Sequence, residues 1–571
     1  MLRAEVADAL DEIADILDVL GDTYRPRAYR RAARSIENSS VDLVDCMENR
    51  ELTSISGVGE SIAKKIEEFI QTGEIHYLRQ LREKVPRGVA ELLEISDIGP
   101  KTALLLHEEL GISSVPELEE AVKRKKLRSI KGMGPKTEEN ILRGIDLMRR
   151  GSSRTLLGRA LPIAEEIKAG LDSLSSVKRI SLAGSIRRMK ETVGDVDILV
   201  TSDSSAEVME TFTSMPVVKT VVAEGETKST VLLSDGLQVD IRIVPDDCFG
   251  SALQYFTGSK DHNIRVREIA QREKLKLSEY GLFDEDGKRV AGESEEEIYE
   301  YLGMSYVEPE LRENTGEIEA AVDNQLPELI EADEIHGDFH VHSNWSDGKN
   351  TIEEIADMAR ELGYEYVCIT DHSQKLKIAN GLDEDRVVDQ IQRIAELNEK
   401  REDGPRILAG LEVNILTDGS LDMDSEVLEQ LDVVIGSVHS GFKSDRNAMT
   451  DRLRECLSTG MIDILGHPTG RILGRREAYD FDEDVVFAEA RDADTWMEIN
   501  AFPDRLDLND RLSRRAVEMG LKVAIGTDSH RIGQMANMKF GLAVARRAWL
   551  DAEDVINSRD SEQLVDILRA R

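Results

Sequence analysis

Three aspartates in the middle of the chain are spaced for phosphoryl-transfer chemistry. Asp195 and Asp197 stand two apart in GDVDILV (194–200), and Asp240 sits in QVDIRIV (238–244). Residues two apart on a strand point to one face. The first pair therefore presents adjacent carboxylates, which repel unless a cation lies between them. A third carboxylate from a neighbouring strand completes the set needed to hold two divalent metals for displacement at phosphorus. Just upstream, Gly184-Ser185 forms a tight turn suited to a triphosphate, with Arg187 and Arg188 as charge partners. A D-x-D pair alone is more often a solvated acidic strand; together with the turn, the arginines and the third aspartate it favours a nucleotidyltransferase site.

Histidine marks a second centre. Seven of the ten histidines lie in 336–571, and six of these, His340, His342, His372, His439, His467 and His530, close strand-like apolar runs. One such histidine would ordinarily be a core residue; six at equivalent strand ends are not a core pattern. Asp347, Glu412 and Asp528 fall on the same rim. Nine nitrogen and oxygen donors without a cysteine suit divalent ions such as Mn²⁺, Zn²⁺ or Fe²⁺. His336 falls outside the pattern and is read as structural or exposed.

These residues need strands to carry them. The runs 337–342, 365–372, 406–414, 432–439, 463–468, 495–500 and 521–530 read as seven strands separated by helical segments. That predicts a parallel βα barrel with its chemistry at the C-terminal strand ends. Ahead of it, an alternating α and β texture begins after Gly151-Ser152-Ser153, with strands expected at 177–184, 195–201, 228–234 and 237–244 and a helix plus acidic linker over 311–335. Nearer the start, one phrase recurs three times: ISGVGESIAKKI (55–66), ISDIGPKTALLL (95–106) and IKGMGPKTEENI (130–141). Each is an apolar residue, a glycine turn, then a helix whose free N–H groups can face a phosphate. The repeats resemble the helix-hairpin-helix motif of DNA binders that lack sequence preference. That resemblance implies DNA contacts at Gly57, Gly59, Gly99, Gly132 and Gly134, with a monovalent cation at the turns. The second copy has Asp97 where the first glycine is expected and is the weakest phosphate contact of the three.

A net charge of −39 ordinarily argues against nucleic acid as a partner, but the charge is uneven: −4 over 1–150, −15 over 151–331 and −20 over 332–571. The segment with the glycine turns is nearly neutral. Acidity on this scale fits either adaptation to a salty cytoplasm or plain solubility. Cys46, Cys248, Cys368 and Cys456 are scattered without a CxxC pair. No apolar run reaches the ~18 residues of a membrane span, and the N-terminus reads as an amphipathic helix and not a secretion signal. A reduced, cytoplasmic protein without membrane contact is expected.

GSIRR, GDVDIL, VDIRIV and YFTGSKDHN (255–263), in that order behind the glycine turns, resemble the family X DNA polymerases, gap-filling repair enzymes, over residues 1 to about 310. The resemblance implies that Asp195 and Asp197 ligate both of two Mg²⁺ or Mn²⁺ ions. It also implies that Asp240 completes the catalytic metal site and accepts the primer 3′-OH proton, and that Gly184, Ser185 and Arg188 hold the triphosphate. Tyr255, Phe256 and Gly258 would line the sugar pocket, and Asn263 would meet the minor-groove edge of the nucleotide. Animal repair members of the family form a Schiff base between a lysine and a 5′-deoxyribose phosphate. The pattern GVGxxIAxKI puts that lysine at Lys65, with Arg25 and Tyr29 at the 5′-phosphate pocket, although Ser61 replaces a further expected lysine. Lys65 reads equally as a surface lysine on a DNA-binding helix.

The C-terminal region resembles the polymerase and histidinol phosphatase (PHP) domain, whose site holds three metals. By that resemblance Glu412 bridges two ions, one shared by Asp528 with His340 and His342, the other bound by His439 and His467. Asp347, His372 and His530 would hold the third. Metals so held activate water and stabilise charge during phosphate-ester hydrolysis. Beside a polymerase, 3′-terminal phosphodiesters and abasic sites are the natural substrates. Arg471, Arg475 and Arg476 either steer a DNA strand to the rim or form a solvated loop.

The expected fold is multidomain. Helix-hairpin-helix regions occupy 1–85 (lyase-like) and 86–150 (fingers-like), and an α/β nucleotidyltransferase palm spans 151–250. A thumb-like nucleotide-selection subdomain follows over 251–315, then a linker over 316–335 and a distorted (β/α)7 PHP barrel over 336–571. The expected function is base-excision repair by a monomer acting on gapped or nicked double-stranded DNA with dNTPs: gap filling, 3′→5′ exonuclease action, and abasic-site or 3′-end processing. Two alternatives are weaker. A barrel serving as a phosphatase for small phosphate esters would not need the glycine turns, and a non-catalytic DNA-binding scaffold would not need twelve candidate metal ligands.

Overall fold

A computed structural model describes residues 154–570 apart from 235, 402 and 403, and within the first 153 chiefly 25–37, 43–48, 52–55, 58–84 and 100–130, with scattered positions around them. The chain forms two compact units, Met1–Ser152 and Ser153–Arg571.

The first unit is helical in its described parts. Helices Arg25–Glu37, Glu60–Thr72, His76–Lys84, Pro100–Leu110 and Val115–Lys123 turn their apolar faces into one core that includes Ile36, Ile66, Leu106 and Leu118. The repeated phrase folds into a repeated turn. The N–H of Val58 donates to Ile55 O (3.0 Å), that of Ile98 to Ile95 O (3.0 Å) and that of Met133 to Ile130 O (3.1 Å). The three isoleucines are buried and anchor each turn in the core. Among the described residues nothing lies within 4 Å of where a Cβ would stand at Gly59 or Gly134, so none of their packing requires glycine there. Gly57, Gly99 and Gly132 lie outside the described residues.

A short antiparallel pair, β1 (Thr155–Leu156) and β3 (Thr192–Val193), flanks the second unit's first sheet. That sheet, the palm, runs in the order β2 (Val177–Ala183), β4 (Asp195–Ser202), β7 (Gln238–Ile243), β6 (Lys228–Leu233) and β5 (Val218–Ala223). β4 and β7 are parallel, with Asp197 beside Asp240; the other pairs are antiparallel. The edge strand β5 was not expected. It leaves Val221 and Val222 exposed and so lacks the buried alternation that marks the others.

The thumb packs helices Phe249–Thr257, Lys260–Arg272 and Glu295–Tyr301 with an antiparallel sheet of β8 (Lys276–Ser278), β9 (Gly281–Phe283) and β10 (Arg289–Ala291). Part of the expected linker belongs to this packing. Helix Glu317–Val322 buries Ile318 and Ala321 in the thumb core. Glu317 is itself fully buried, because His262 Nδ1 and the N–H groups of Asn314 and Thr315 each reach it at 2.7 Å. The acidic composition suggested solvent; satisfied pairing puts one of those acids in the interior.

All seven expected barrel strands are present. β11 (Gly337–Val341), β12 (Tyr366–Ile369), β13 (Arg406–Asn414), β14 (Val433–Ser437), β15 (Ile464–Gly466), β16 (Trp496–Asn500) and β17 (Val523–Gly526) lie side by side in sequence order, all parallel. Their near-continuous apolar runs fit strands buried on both faces. The ring nearly closes: Val341 bridges Ser529, and His342 N–H donates to Ser529 O at 2.8 Å. Barrel and palm share a hydrophobic core, and Gly158 packs against Pro503 with no room for a side chain. Among the described residues no helix is long and apolar enough to cross a membrane.

Candidate active sites

The palm brings its three aspartates together at one end of β4 and β7. Burial, then Asp195 and Asp240, push the Asp197 carboxyl up to about 6, the signature of crowded carboxylates that a cation would relieve. Lys228 Nζ on β6 stands 3.0 Å from Asp240 Oδ2, and Gln238 Nε2 donates to Asp240 Oδ1 at 3.2 Å. Gly184 closes β2 at φ +64°, and a Cβ there would lie 2.4 Å from Asp197 Oδ2. Only glycine lets this turn lie against the carboxylates. Ser185 follows in the short helix Gly184–Arg187.

Both arginines after the turn are engaged by the thumb. Arg187 meets Glu295 at 2.6 Å and Thr257 Oγ1 at 2.8 Å; Arg188 meets Glu313 at 2.9 Å and Thr257 O at 2.7 Å. Tyr255 and Phe256 stand edge to face, 5.1 Å between centroids, with the Arg242 guanidinium 4.7 Å over Phe256. A Cβ at Gly258 would lie 2.5 Å from Asn263 Oδ1. Asn263 is held within the thumb. It is 8 % exposed, its amide donates to Tyr255 O (2.7 Å) and Gly258 O (3.2 Å), and Gln254 donates to its carbonyl (3.1 Å). In this arrangement it fixes the backbone of the 255–258 segment.

The barrel rim gathers all nine expected donors. Glu412 is the hub: His467 Nε2 lies 3.0 Å from it, His439 Nε2 3.2 Å, His372 Nδ1 2.7 Å, His340 Nε2 3.6 Å and His342 Nε2 3.7 Å. Asp528 stands 3.3 Å from His342, and Asp347 stands 3.3 Å from His530 and 3.8 Å from His372. Three overlapping groups have metal-binding spacing: His342, Asp347, His372 and His530; His340, His342 and Glu412; His372, Glu412 and His439. In these groups His342 and His372 recur as well as Glu412, whereas the resemblance implied that only Glu412 is shared between ions. A parallel bridge between His372 and Glu412 brings that imidazole to the central carboxylate.

The donor set fits divalent cations. His340 Nε2, both nitrogens of His342, His372 Nδ1, His467 Nδ1 and Glu412 Oε2 are buried without a well-formed hydrogen bond, an arrangement that is costly unless an ion takes the lone pairs. Burial and the neighbouring His530 and His372 push His342 down to about 3, leaving it neutral, as a ligand must be. Burial also works against His530, but Asp347 and Asp528 reverse this and hold it up to about 9. His467 and Asp528 adopt positive φ (27° and 53°), backbone strain of the kind that clusters at functional sites.

Residues that the sequence reading passed over hold these donors. Glu498 on β16 takes a hydrogen bond from His340 Nδ1 at 2.6 Å and another from the His467 N–H. Asn414 Oδ1 pairs with His439 Nδ1 at 2.7 Å, and Asn500 Nδ2 donates to Asp528 at 3.1 Å. Such partners set ring orientation and tautomer. The available signal was a lone glutamate in the apolar run TWMEIN, the one barrel strand without a candidate ligand. His336 sits apart, paired with Glu365 at 3.1 Å. Of the rim arginines, Arg475 is exposed, Arg476 lies 3.9 Å over the Phe442 ring, and Arg471 reaches the palm at Glu191 (2.7 Å).

In the first unit Lys65 is more than a solvated surface lysine. Its Nζ lies 5.0 Å from the Tyr77 ring centroid and 5.8 Å from that of Tyr29, and it donates to Ser61 O and Oγ at 3.1 Å each. Arg25 donates to Tyr77 Oη at 3.0 Å. Burial lowers the Lys65 pKa and Arg25 adds to this, against an opposing pull from Glu68.

Comparison with known proteins follows the same division. The descriptions that match are a helix-hairpin-helix domain (1–75), a SAM-like helix-hairpin-helix tandem (89–146), the DNA polymerase beta palm (160–265), the DNA polymerase beta thumb (252–313) and the PHP domain (338–500). Rat DNA polymerase lambda is 26 % identical over 340 residues, 54 % of this chain and 56 % of that protein. A probable phosphatase of Thermoanaerobacter sp. is 29 % identical over 245 residues, 41 % of this chain and 94 % of that protein. The DNA polymerase/3′-5′ exonuclease PolX of Bacillus subtilis is 38 % identical over 573 residues, the whole of both chains. With every structural division matched and one relative alike from end to end, the chain belongs to the PolX family, the family X DNA polymerases that carry a C-terminal PHP domain.

Proposed function

We propose that this protein is a base-excision repair enzyme with two active sites: a polymerase that fills short gaps, and a barrel that acts as a 3′→5′ exonuclease and processes abasic sites and 3′ ends. The observation that carries the reading is the pairing of two separate ligand clusters, three aspartates in the palm and nine donors on the barrel rim, within one chain alike end to end to a named polymerase/exonuclease. The gapped or nicked duplex would be gripped by the turns at Gly59 and Gly134, together with Gly57, Gly99 and Gly132, a monovalent cation assisting. The protein would act as a cytoplasmic monomer, divided at the boundaries that the sequence predicts, with the thumb extended to include 316–322.

Two Mg²⁺ or Mn²⁺ ions at Asp195, Asp197 and Asp240, and three ions of Mn²⁺, Zn²⁺ or Fe²⁺ on the barrel rim, would supply Lewis acidity and water activation. The chain's own groups do the rest. Asp240 receives the primer 3′-OH proton. Gly184, Ser185 and Arg188 orient the triphosphate, and Tyr255, Phe256 and Gly258 exclude a 2′-OH. In the barrel, Glu498 and Asn414 hold the His340 and His439 rings in register. Lys65, its pKa lowered by burial and its amine beside Tyr29 and Tyr77, is suited to attack the aldehyde of a 5′-deoxyribose phosphate and form an imine with loss of water. The test is one assay on gapped DNA with a 5′-labelled primer and divalent metal. Extension to the gap length with dNTPs and shortening without them are expected. An unchanged primer beside brisk hydrolysis of a small phosphate ester would favour the phosphatase reading instead.

A further inference from the structure

Arg188 carries the charge that has to reach a triphosphate, yet its guanidinium is occupied, with Nε on Glu313 Oε1 and Nη1 on Thr257 O. Glu313 is not Arg188's alone. Arg547, at the end of the barrel helix Met538–Arg547, is 6 % exposed in its side chain and places Nη1 3.3 Å from the same Oε1. That Nη1 also donates to Arg188 O at 2.9 Å, while the Nη2 of Arg547 is held by Asp510. Lys190 Nζ stands 3.7 Å from Glu313. Burial alone would raise the Glu313 carboxyl, but Arg188, Lys190 and Arg547 reverse this and hold it below the usual carboxylate range.

A partly buried carboxylate that loses its only cation is left uncompensated, and that penalty resists the separation. An isolated Arg188–Glu313 pair would therefore oppose release of Arg188 to a nucleotide. Here a second guanidinium, pinned by Asp510 and by backbone carbonyls, stays beside the carboxylate when Arg188 departs. We propose that Glu313 and Arg547 form a parking site for Arg188: Glu313 holds the arginine away from the nucleotide position, and Arg547, supplied by the exonuclease barrel, eases its release. The barrel thereby sets the dNTP affinity of the polymerase. Glu313 and Arg547 are positioning residues, since neither has to touch the nucleotide. The inference rests on the reading of Arg188 as a triphosphate ligand.

The parking site gives two variants opposite signs, which lost packing would not. E313Q keeps the side chain's shape and removes the charge that retains Arg188. The Kd of a non-hydrolysable dNTP analogue on one-nucleotide-gapped DNA, and the dNTP KM, should fall roughly threefold to fivefold, the scale of one partly exposed ion pair. R547A leaves Glu313 to Arg188 and the more distant Lys190 and should raise both by a similar factor, with kcat moving less. The double variant should follow E313Q, because Arg547 then has no charge to neutralise. Exonuclease activity of each preparation reports that the barrel is folded; an inactive R547A is replaced by R547Q. R188A separates the two failures. Unchanged dNTP affinity in R188A would remove Arg188 from the triphosphate site. Weakened binding in R188A, with E313Q weaker or unchanged, would overturn the parking site and leave the site reading standing.

Discussion

At the scale of single residues, the two centres depend on groups that are unstable in isolation. Asp197 is pushed up to about 6 because it is buried beside Asp195 and Asp240, so its charge is disfavoured by the site and a shared cation would relieve it. Replacing Asp195 or Asp197 with alanine is expected to lower nucleotide addition by on the order of 10³-fold, comparable to losing a major transition-state contact. Exonuclease action on the same DNA should persist, because the barrel cluster is built from other residues. Loss of both activities in a folded variant would refute two independent centres. Lys65 is tuned the other way. Its lowered pKa leaves more neutral amine at neutral pH, and only the neutral amine attacks an aldehyde. Borohydride trapping of a 5′-deoxyribose phosphate adduct should disappear in Lys65→Ala. In the parent, the trapping rate should climb with pH to a midpoint below that of an ordinary lysine. An adduct that survives the substitution would assign the chemistry elsewhere.

At the scale of elements, strand β16 shows how a segment without an expected ligand still builds the site. Met497 and Ile499 bury on the core side, while Glu498 between them faces the barrel end and receives His340 and the His467 N–H. Strand alternation alone places it there. Glu498→Gln should reduce metal occupancy and exonuclease rate by roughly 10- to 100-fold, the usual penalty for removing a ligand's orienting partner, with gap filling retained. Metal content measured by elemental analysis, beside both activities, checks this; full occupancy in the variant would make Glu498 a bystander. The thumb shows the complementary effect. Its last helix carries two acids in six residues, yet Glu317 is interior because His262 and two backbone donors close around it.

At the scale of the whole molecule, the net charge of −39 is carried mostly by the palm, thumb and barrel. Neutralised phosphates release counterions, so DNA binding normally weakens steeply with salt. Salt also screens the repulsion between DNA and an acidic protein. With the helix-hairpin-helix segment near neutral and the remainder strongly acidic, gap filling should hold or rise as salt increases from a low value before it declines. A salt series on one gapped substrate tests this, and a steady fall from the lowest concentration would reduce the acidity to a solubility device. The same acidity meets arginine inside the molecule. Arg471 with Glu191, and Arg547 with Glu313, tie barrel to palm and thumb through partly buried pairs, which salt screens far less than exposed ones.

What the sequence by itself determined were the features that repeat or that chemistry spaces. The D-x-D pair with its third aspartate, the six histidines at strand ends, the seven apolar runs and the three isoleucine-glycine turns are local patterns, and strand or helix periodicity converts each directly into a position. Tertiary structure alone decided who partners whom. Arg188 is a free cation on paper and a paired one in the fold. Edge strand β5 carries no buried alternation because five of its six residues are exposed, on both faces, and Glu317 is acidic yet buried because His262, 55 residues away, joins the N–H groups of Asn314 and Thr315 around it. Periodicity reports which face a side chain takes. Groups such as Glu313 for Arg188 and Glu498 for His340 come from segments 125 and 158 residues away, and only packing brings them there.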